Sequence, residues 1–365
     1  METTLSKKYN RIKLTLALTH IALELIFWLL VIFTGFAEKL AHSASDHFLS
    51  PWLQFYYFIL GLVLLRMVFN LPLSFYSGYI VEHRFSLSNE TLGHWIIDQL
   101  KGFLIGMILG GTVITVFYLL LQRFPHHWWV GIWVFLFLFS VLLQRIAPTL
   151  LFPIFYKFKP LNDSELKERL EKLAKRWGLH ITGIFQFDLS KTTKKANAGF
   201  TGMGKSKRVI LGDTLLEHFE SDEIETIFAH EIGHFVKKHL LKGVVLNSLL
   251  SFGGLYLIFY LYSLILQSNH FLAHQLEALP YLILLFFLFS LLTGPLGNIV
   301  SRYFEYQADR FAVEATQNID SFISSLNKLA QLNLADKEPH PVVEFLFYSH
   351  PSIKHRIEKL KGANP

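Results

Sequence analysis

Cysteine is absent from all 365 residues. That excludes a disulfide framework, a thiolate metal site and a cysteine nucleophile. Charge is sparse, with Asp, Glu, Lys and Arg making up only 17% of the chain. Neither an internal repeat nor a low-complexity tract is present. The formal net charge is +6, but basic residues beside apolar runs are topology signals more often than polyanion sites, so no nucleic-acid partner is expected. Asp188 and Ser190 have no histidine at a recognisable spacing, which argues against a serine hydrolase.

Apolar residues, by contrast, are abundant. They make up 52% of the chain, with 35 Phe and a mean hydropathy of +0.37, a composition that bilayer spans explain better than one large core does. Six segments are long enough to cross about 30 Å of hydrocarbon as helices. They lie near 14–37, 52–81, 99–122, 127–147, 240–267 and 279–300. Lys7, Lys8, Arg11 and Lys13 precede the first run, which is too long for a signal-peptide core and reads as a retained span. Pro72 predicts a kink in the second span. Trp52, Tyr56 and Tyr57, and Trp128, Trp129 and Trp133, read as interfacial anchors.

The expected fold is therefore a mainly α, polytopic membrane protein of about six transmembrane helices with a small inserted α+β module. Residues 1–147 form spans one to four, 148–239 the inserted module, 240–300 spans five and six, and 301–365 C-terminal helices. The links 38–51, 123–127 and 268–278 carry only Lys39 and Arg123 as basic residues. The positive-inside rule then puts the N-terminus and the module on the cytoplasmic side.

Within the module, Asn162 or Asp163 caps an amphipathic helix, Leu166 to Trp177, that Gly178 ends. Ile181–Leu189, Ala196–Phe200 and Arg208–Leu211 read as strands. Ser221-Asp222-Glu223 opens the next helix with an N-cap and an acidic first turn.

That helix carries His230-Glu231-Ile-Gly-His234. Residues four apart share a helical face, so the two imidazoles converge as ligands of one zinc ion must. Glu231 falls beside the metal, where a carboxylate can take a proton from the attacking water. Chance alone gives such a pattern in roughly one chain in twenty-five of this composition, so its surroundings decide its meaning. Catalytic zinc takes three protein ligands. Glu305 is the leading third candidate, because its helix follows directly on the membrane hairpin that begins just after His239. Asp309, one turn on, is placed to accept the N–H of a ligating imidazole. The plainer reading of Glu305 and Asp309 is a solvated face paired with Arg302 and Arg310.

HEIGH, Phe304-Glu305-Tyr-Gln-Ala-Asp309, Lys195-Ala-Asn197-Ala-Gly, Val209-Ile-Leu-Gly-Asp213-Thr-Leu-Leu and Ser349-His350-Pro351 with Arg356 occur in this order. Together with Leu71-Pro72-Leu-Ser-Phe-Tyr and Ala147-Pro148 to Pro160-Leu, they cover most of the chain. The set resembles the CAAX prenyl protease type I family of integral-membrane zinc endopeptidases. The resemblance implies one Zn²⁺ per chain held by His230, His234 and Glu305, with Glu231 as general base and Asp309 in support. It implies a substrate strand at Ala196, Asn197 and Ala198, with His350 and Arg356 lining the site and steadying the oxyanion. The implied substrate is a peptide or protein, prenylated near its C-terminus, met at the lipid bilayer. The implied location is the ER membrane in a eukaryote or the inner membrane in a bacterium. Eukaryotic members of the family have seven spans, and this chain has six.

Two other functions compete. One is a broad-specificity quality-control protease of membrane proteins, which shares the site. The other is a non-catalytic scaffold or transporter, against which Glu231 stands, since structural zinc gains nothing from it. His239 lies about 140° round the helix from His234 and is expected at the membrane interface. Gly199-Phe-Thr-Gly-Met-Gly204-Lys205-Ser206 matches phosphate-loop spacing, but an apolar strand follows it where a helix is required, so it reads as a turn between strands. His20, Glu24 and Arg66 fall inside spans, which fits a hydrated cavity and fits a buried interhelix pair such as Glu24 with Arg66 equally well.

Overall fold

The computed structural model describes residues 2–201 and 208–362. Six helices among them are long and apolar enough to cross a membrane: Thr4–Phe33, Pro51–Arg84, Leu92–Arg123, Trp128–Phe155, His239–Asn269 and Leu276–Thr316. The number expected is the number found. Most of the rods run past the expected ends, because a helix that leaves hydrocarbon keeps its hydrogen bonds and continues until a cap or turn stops it.

The chain opens with α1 (Glu2–Phe33) and a short α2 (Phe36–His47), entered through Gly35 at φ 69°. The second span is α3 (Pro51–Phe75) and α4 (Val81–Arg84), joined by a π-helical turn at Tyr76–Ile80. Pro72 has no N–H to give the preceding turn. The helix carries Pro72 inside it and widens directly afterwards into the wider turn. Next come α5 (Leu92–Arg123) and α6 (Trp128–Ile146), then a second π turn containing Pro148 (Ala147–Leu151) and α7 (Phe152–Phe155).

The inserted region begins with β1 (Phe158–Pro160) and α8 (Ser164–Arg176). Asp163 caps α8 by accepting the Leu166 N–H at 2.9 Å. Gly178, at φ 70°, follows its last turn. Then follow β2 (Gly183–Phe187), β3 (Ala198–Thr201) and β4 (Arg208–Gly212), close to the expected strands. The sheet order is β1-β2-β4-β3, so β3 lies at an edge. β3 and β4 pair antiparallel across the phosphate-loop look-alike, whose residues 202–207 lie outside the described residues.

Beyond the sheet lie α9 (Asp213–His218), α10 (Ser221–Val236), α11 (His239–Asn269), α12 (Leu279–Thr316), α13 (Ile319–Leu332), α14 (Pro341–Phe347) and α15 (Ile353–Lys361). Leu166 and Leu170 of α8 bury against Ile184, Val209 and Leu211 of the sheet and Ile224, Phe228 and Ile232 of α10. Phe311 of α12 and Phe322 of α13 close that core. Each such side chain contributes about 1.5–3 kcal/mol, enough to fix α10 on the sheet.

A second core ties the membrane helices together through Phe27, Phe55, Phe58, Tyr118 and Tyr262. Trp128, expected as an interfacial anchor, belongs to it and is 1% exposed. Its ring meets Phe117 edge-on at 5.1 Å, so it packs as a core residue among neighbouring helices. Glu24 is buried and accepts from Arg66 and Asn70 of α3 at 3.0 and 2.8 Å, so the charge inside the span is paired. A third, smaller cluster of Tyr9, Val81, Phe85 and Leu87 lies beside Glu82, which receives Tyr9 and Lys13 of α1 and Lys195 of the loop before β3 at 2.8, 3.0 and 2.9 Å.

Candidate metal centre

The helix that carries His230 is built from its first turn. Glu220 is its N-cap, one residue before the expected Ser221, and forms a reciprocal capping box with Glu223. Ile224, Phe228 and Ile232 anchor one face in the core, and the turn of the helix brings His230 and His234 out together on another. Gly233 sets how close the next helix comes. A Cβ there would stand 3.1 Å from the Ala308 Cα and from Phe311, so α10 and α12 touch through their backbones.

That contact delivers Glu305 to the histidines. His230 Nε2 and His234 Nε2 are 3.1 Å apart, and each lies 3.3 Å from an oxygen of Glu305. Donors on a tetrahedral ion with bonds of about 2.0–2.1 Å stand about 3.3–3.4 Å apart. Glu305 is 4% exposed, and no hydrogen-bond donor meets its Oε2 at a bonding angle, although His350 Nδ1 is 2.9 Å away. A buried carboxylate oxygen without a donor is costly unless a cation meets it. Two imidazole nitrogens and this oxygen therefore fit a divalent metal. The solvated-face reading of Glu305 and Asp309 is ruled out, since Asp309 is 1% exposed.

Two further charged groups sit behind this cluster. Asp309 Oδ1 lies 2.9 Å from His230 Nδ1, which leaves the Nε2 lone pair facing the metal point. Arg356, itself buried, donates Nε to Asp309 Oδ2 at 2.8 Å and Nη2 to Oδ1. Both of those guanidinium donors are thus spent on Asp309. Burial pushes His230 down, but its hydrogen bonds to Asp309 and Glu305 outweigh that and raise it from 6.5 to about 9. A proton and a metal ion compete for this ring.

Glu231 is half-buried, and among the described residues no hydrogen bond or salt bridge engages its carboxylate. His350 is mostly exposed on the outer side of Glu305. On the strand expected to hold substrate, the Asn197 carbonyl accepts from Gly212 of β4 at 2.9 Å. Alternate residues of a strand point opposite ways, so the N–H and C=O of Ala198 face the free edge. Ala196 is occupied otherwise: its N–H donates to Asn333 Oδ1 at 3.0 Å and its carbonyl accepts from Asn333 Nδ2 at 3.3 Å.

One residue departs from its expected place. His239 is 4% exposed, and its Nδ1 lies 3.0 Å from His234 Nδ1 instead of turning away from it. The angle of about 140° presumed one continuous helix, and α10 ends at Val236. Lys238, at φ 57°, turns the chain before α11 begins and carries His239 back to His234. No motif marks this, because a lysine in the left-handed region has no sequence signature.

Known proteins place the chain. Residues 160–364 match the family described as Peptidase family M48, and residues 2–157 match "CAAX prenyl protease N-terminal, five membrane helices". That second stretch holds four candidate spans here, plus α2. The "Uncharacterized metalloprotease YhfN" of Bacillus subtilis is 31% identical over 98% of this chain and 85% of its own length. The "CAAX prenyl protease 1" of Saccharomyces cerevisiae is 33% identical over 86% of this chain and 73% of its own. The crystal structure of S. mikatae Ste24p superposes with a TM-score of 0.88 at 30% identity, covering 98% of this chain and 89% of that one. This sets aside the non-catalytic scaffold or transporter. With the two matches spanning nearly every residue, the chain belongs to peptidase family M48 and is a multi-pass membrane metalloprotease of the CAAX prenyl protease family.

Proposed function

We propose that the chain is a zinc endopeptidase that processes the C-terminal end of CAAX prenylated proteins from the cytoplasmic face of its membrane. The convergence of His230, His234 and Glu305 beside an unengaged Glu231 carries this reading. A donor set of two imidazoles and one carboxylate is that of catalytic zinc, with a further position left open. Bound there, zinc supplies a Lewis acid that polarises the scissile carbonyl and acidifies water.

The chain's own residues do the rest. Glu231 takes a proton from the attacking water and returns it to the leaving amine. Asp309 holds the His230 ring in register, and Arg356 fixes Asp309. His350, exposed beside Glu305, is placed to steady negative charge on the substrate carbonyl oxygen. Ala198 offers its N–H and C=O to an extended peptide, with Asn197 exposed next to it. Ala196 positions this edge through Asn333. In this reading residues 1–147 and 240–300 hold the membrane, and 148–239 with 301–365 form the catalytic body. The basic N-terminus and tail set its cytoplasmic orientation, at the ER membrane in a eukaryotic cell or the inner membrane in a bacterium.

An edge strand reads backbone and not side chains, which favours a second reading: broad quality-control cleavage of membrane proteins. A farnesylated CAAX peptide and its unprenylated control, each incubated with and without a chelator, separate the two. Chelator-sensitive cleavage of the prenylated peptide alone supports the first. Equal cleavage of both supports the second, and cleavage unaffected by chelator overturns the metal mechanism.

A further inference from the structure

The two ligand histidines need the same help, and only His230 receives it from a carboxylate. An imidazole that binds metal through Nε2 must carry its proton on Nδ1, and a partner there holds the ring and its tautomer. For His234 the atom at that position is His239 Nδ1, 3.0 Å away. Two facing imidazole nitrogens form a hydrogen bond only if one carries the proton and the other a lone pair.

The far side of His239 decides which. Its Nε2 lies 2.8 Å from Gln307 Oε1, an acceptor, so the proton of His239 sits on Nε2 and its Nδ1 is left as an acceptor. The His234 proton then sits on Nδ1 and its Nε2 lone pair is free. The opposite arrangement, with the Gln307 amide turned to donate, would put a proton on His234 Nε2 and remove a ligand. Phe304 fixes the plane of the relay, stacking on the His239 ring at 4.4 Å with 6° between planes.

We infer that His239 and Gln307 form a positioning relay that holds His234 in its metal-binding tautomer and orientation. The inference rests on the metal reading of the site and deepens it. The turn of α12 that supplies Glu305 then serves both histidines, His230 through Asp309 and His234 through Gln307 and His239.

The test measures zinc affinity by chelator competition on detergent-purified protein, with no substrate present. His239→Phe keeps a ring for Phe304 but has no nitrogen, and it should weaken zinc about 10- to 100-fold, the usual cost of losing a ligand's supporting partner. His239→Asn restores an acceptor near the Nδ1 position and should recover most of that loss. Gln307→Leu should weaken zinc while leaving His239 in place, and Gln307→Glu, still an acceptor, should not. Cobalt substitution adds a signature: the visible spectrum should change in His239→Phe and return in His239→Asn. Wild-type zinc affinity in both His239→Phe and Gln307→Leu overturns the relay. So does equal loss in His239→Phe and His239→Asn with both still folded, which marks a packing role only. If His239→Phe does not fold, the Gln307 pair decides alone. A wild-type chain without stoichiometric zinc, or a Glu305→Ala variant that keeps it, overturns the metal reading instead, so the two failures are distinct.

Discussion

Gly233 and Ala308 meet backbone to backbone: a Cβ at 233 would lie 3.1 Å from the Ala308 Cα. Gly233→Ala gains about 1 kcal/mol of helix propensity. Overpacking a close interface costs about 1–3 kcal/mol, and here the obstacle is partly backbone, which cannot rotate away. Net destabilisation of about 1 kcal/mol is expected, together with weaker zinc binding as Glu305 withdraws from the histidines. Thermal unfolding with and without zinc checks both. A variant as stable as wild type with unchanged metal affinity would show that the interface has slack.

Local backbone rules are legible in the sequence, and contacts such as this one are not. His230 and His234 at a spacing of four, Asp163 before α8 and Gly178 after it are local rules of backbone geometry, and each appears where expected. Glu305 was reachable because the membrane hairpin returns the chain to the same side. What escaped depends on neighbours distant in sequence or on unusual torsions. Residues 36–47 form α2 with Ala37, Ala41 and Ala44 buried, a stripe of small side chains too weak in hydropathy to stand out. Trp128 had the composition of an anchor and the packing of a core residue. His239 was misplaced because one lysine at φ 57° broke the helix on which its angle was reckoned. Asn333, which holds Ala196 by both backbone groups, belongs to the same class.

Arg356 and Asp309 form a buried ion pair with two parallel hydrogen bonds. Removing one partner leaves the other charge buried and alone, at a cost of about 3–5 kcal/mol. Arg356→Leu should therefore lower stability by that amount and weaken zinc, since Asp309 loses the partner that aims it at His230. Arg356→Lys keeps the charge but not the planar fork, and an intermediate loss is expected. Denaturation midpoints and chelator competition measure the two effects. Equal stability of wild type and Arg356→Leu would refute the role of the pair.

Glu223 predicts a pH dependence. Burial raises its pKa, but Lys328 at 2.6 Å, Ser324 at 2.6 Å and the Glu220 N–H at 2.9 Å outweigh burial and hold it below 4.5. A carboxyl depressed in the folded state contributes stability that is present above its unfolded value and lost as pH falls through its folded value. Wild type should exceed Glu223→Gln in stability at neutral pH, and the gap should close as pH drops below about 4.5. Comparing the two proteins removes the common effect of protonating the metal ligands. A gap that stays constant down to pH 3 would show that the charge of Glu223 is immaterial.

Glu231 and Glu305 separate chemistry from metal binding. Glu231 is a half-buried carboxylate that no ligand or cap uses, so Glu231→Gln should leave zinc content at one per chain. Cleavage should fall by at least the roughly 10²- to 10⁴-fold that a positioned general base supplies. Glu305 stands 3.3 Å from both imidazole nitrogens, and Glu305→Ala removes one of the three proposed ligands. Zinc affinity should then drop by more than the roughly 10- to 100-fold that a lost supporting partner costs, with activity lost in parallel. Metal analysis of the purified variants, set beside peptide cleavage, gives the two readouts. Zinc lost from Glu231→Gln, or retained in full by Glu305→Ala, would reverse the roles assigned to these carboxylates.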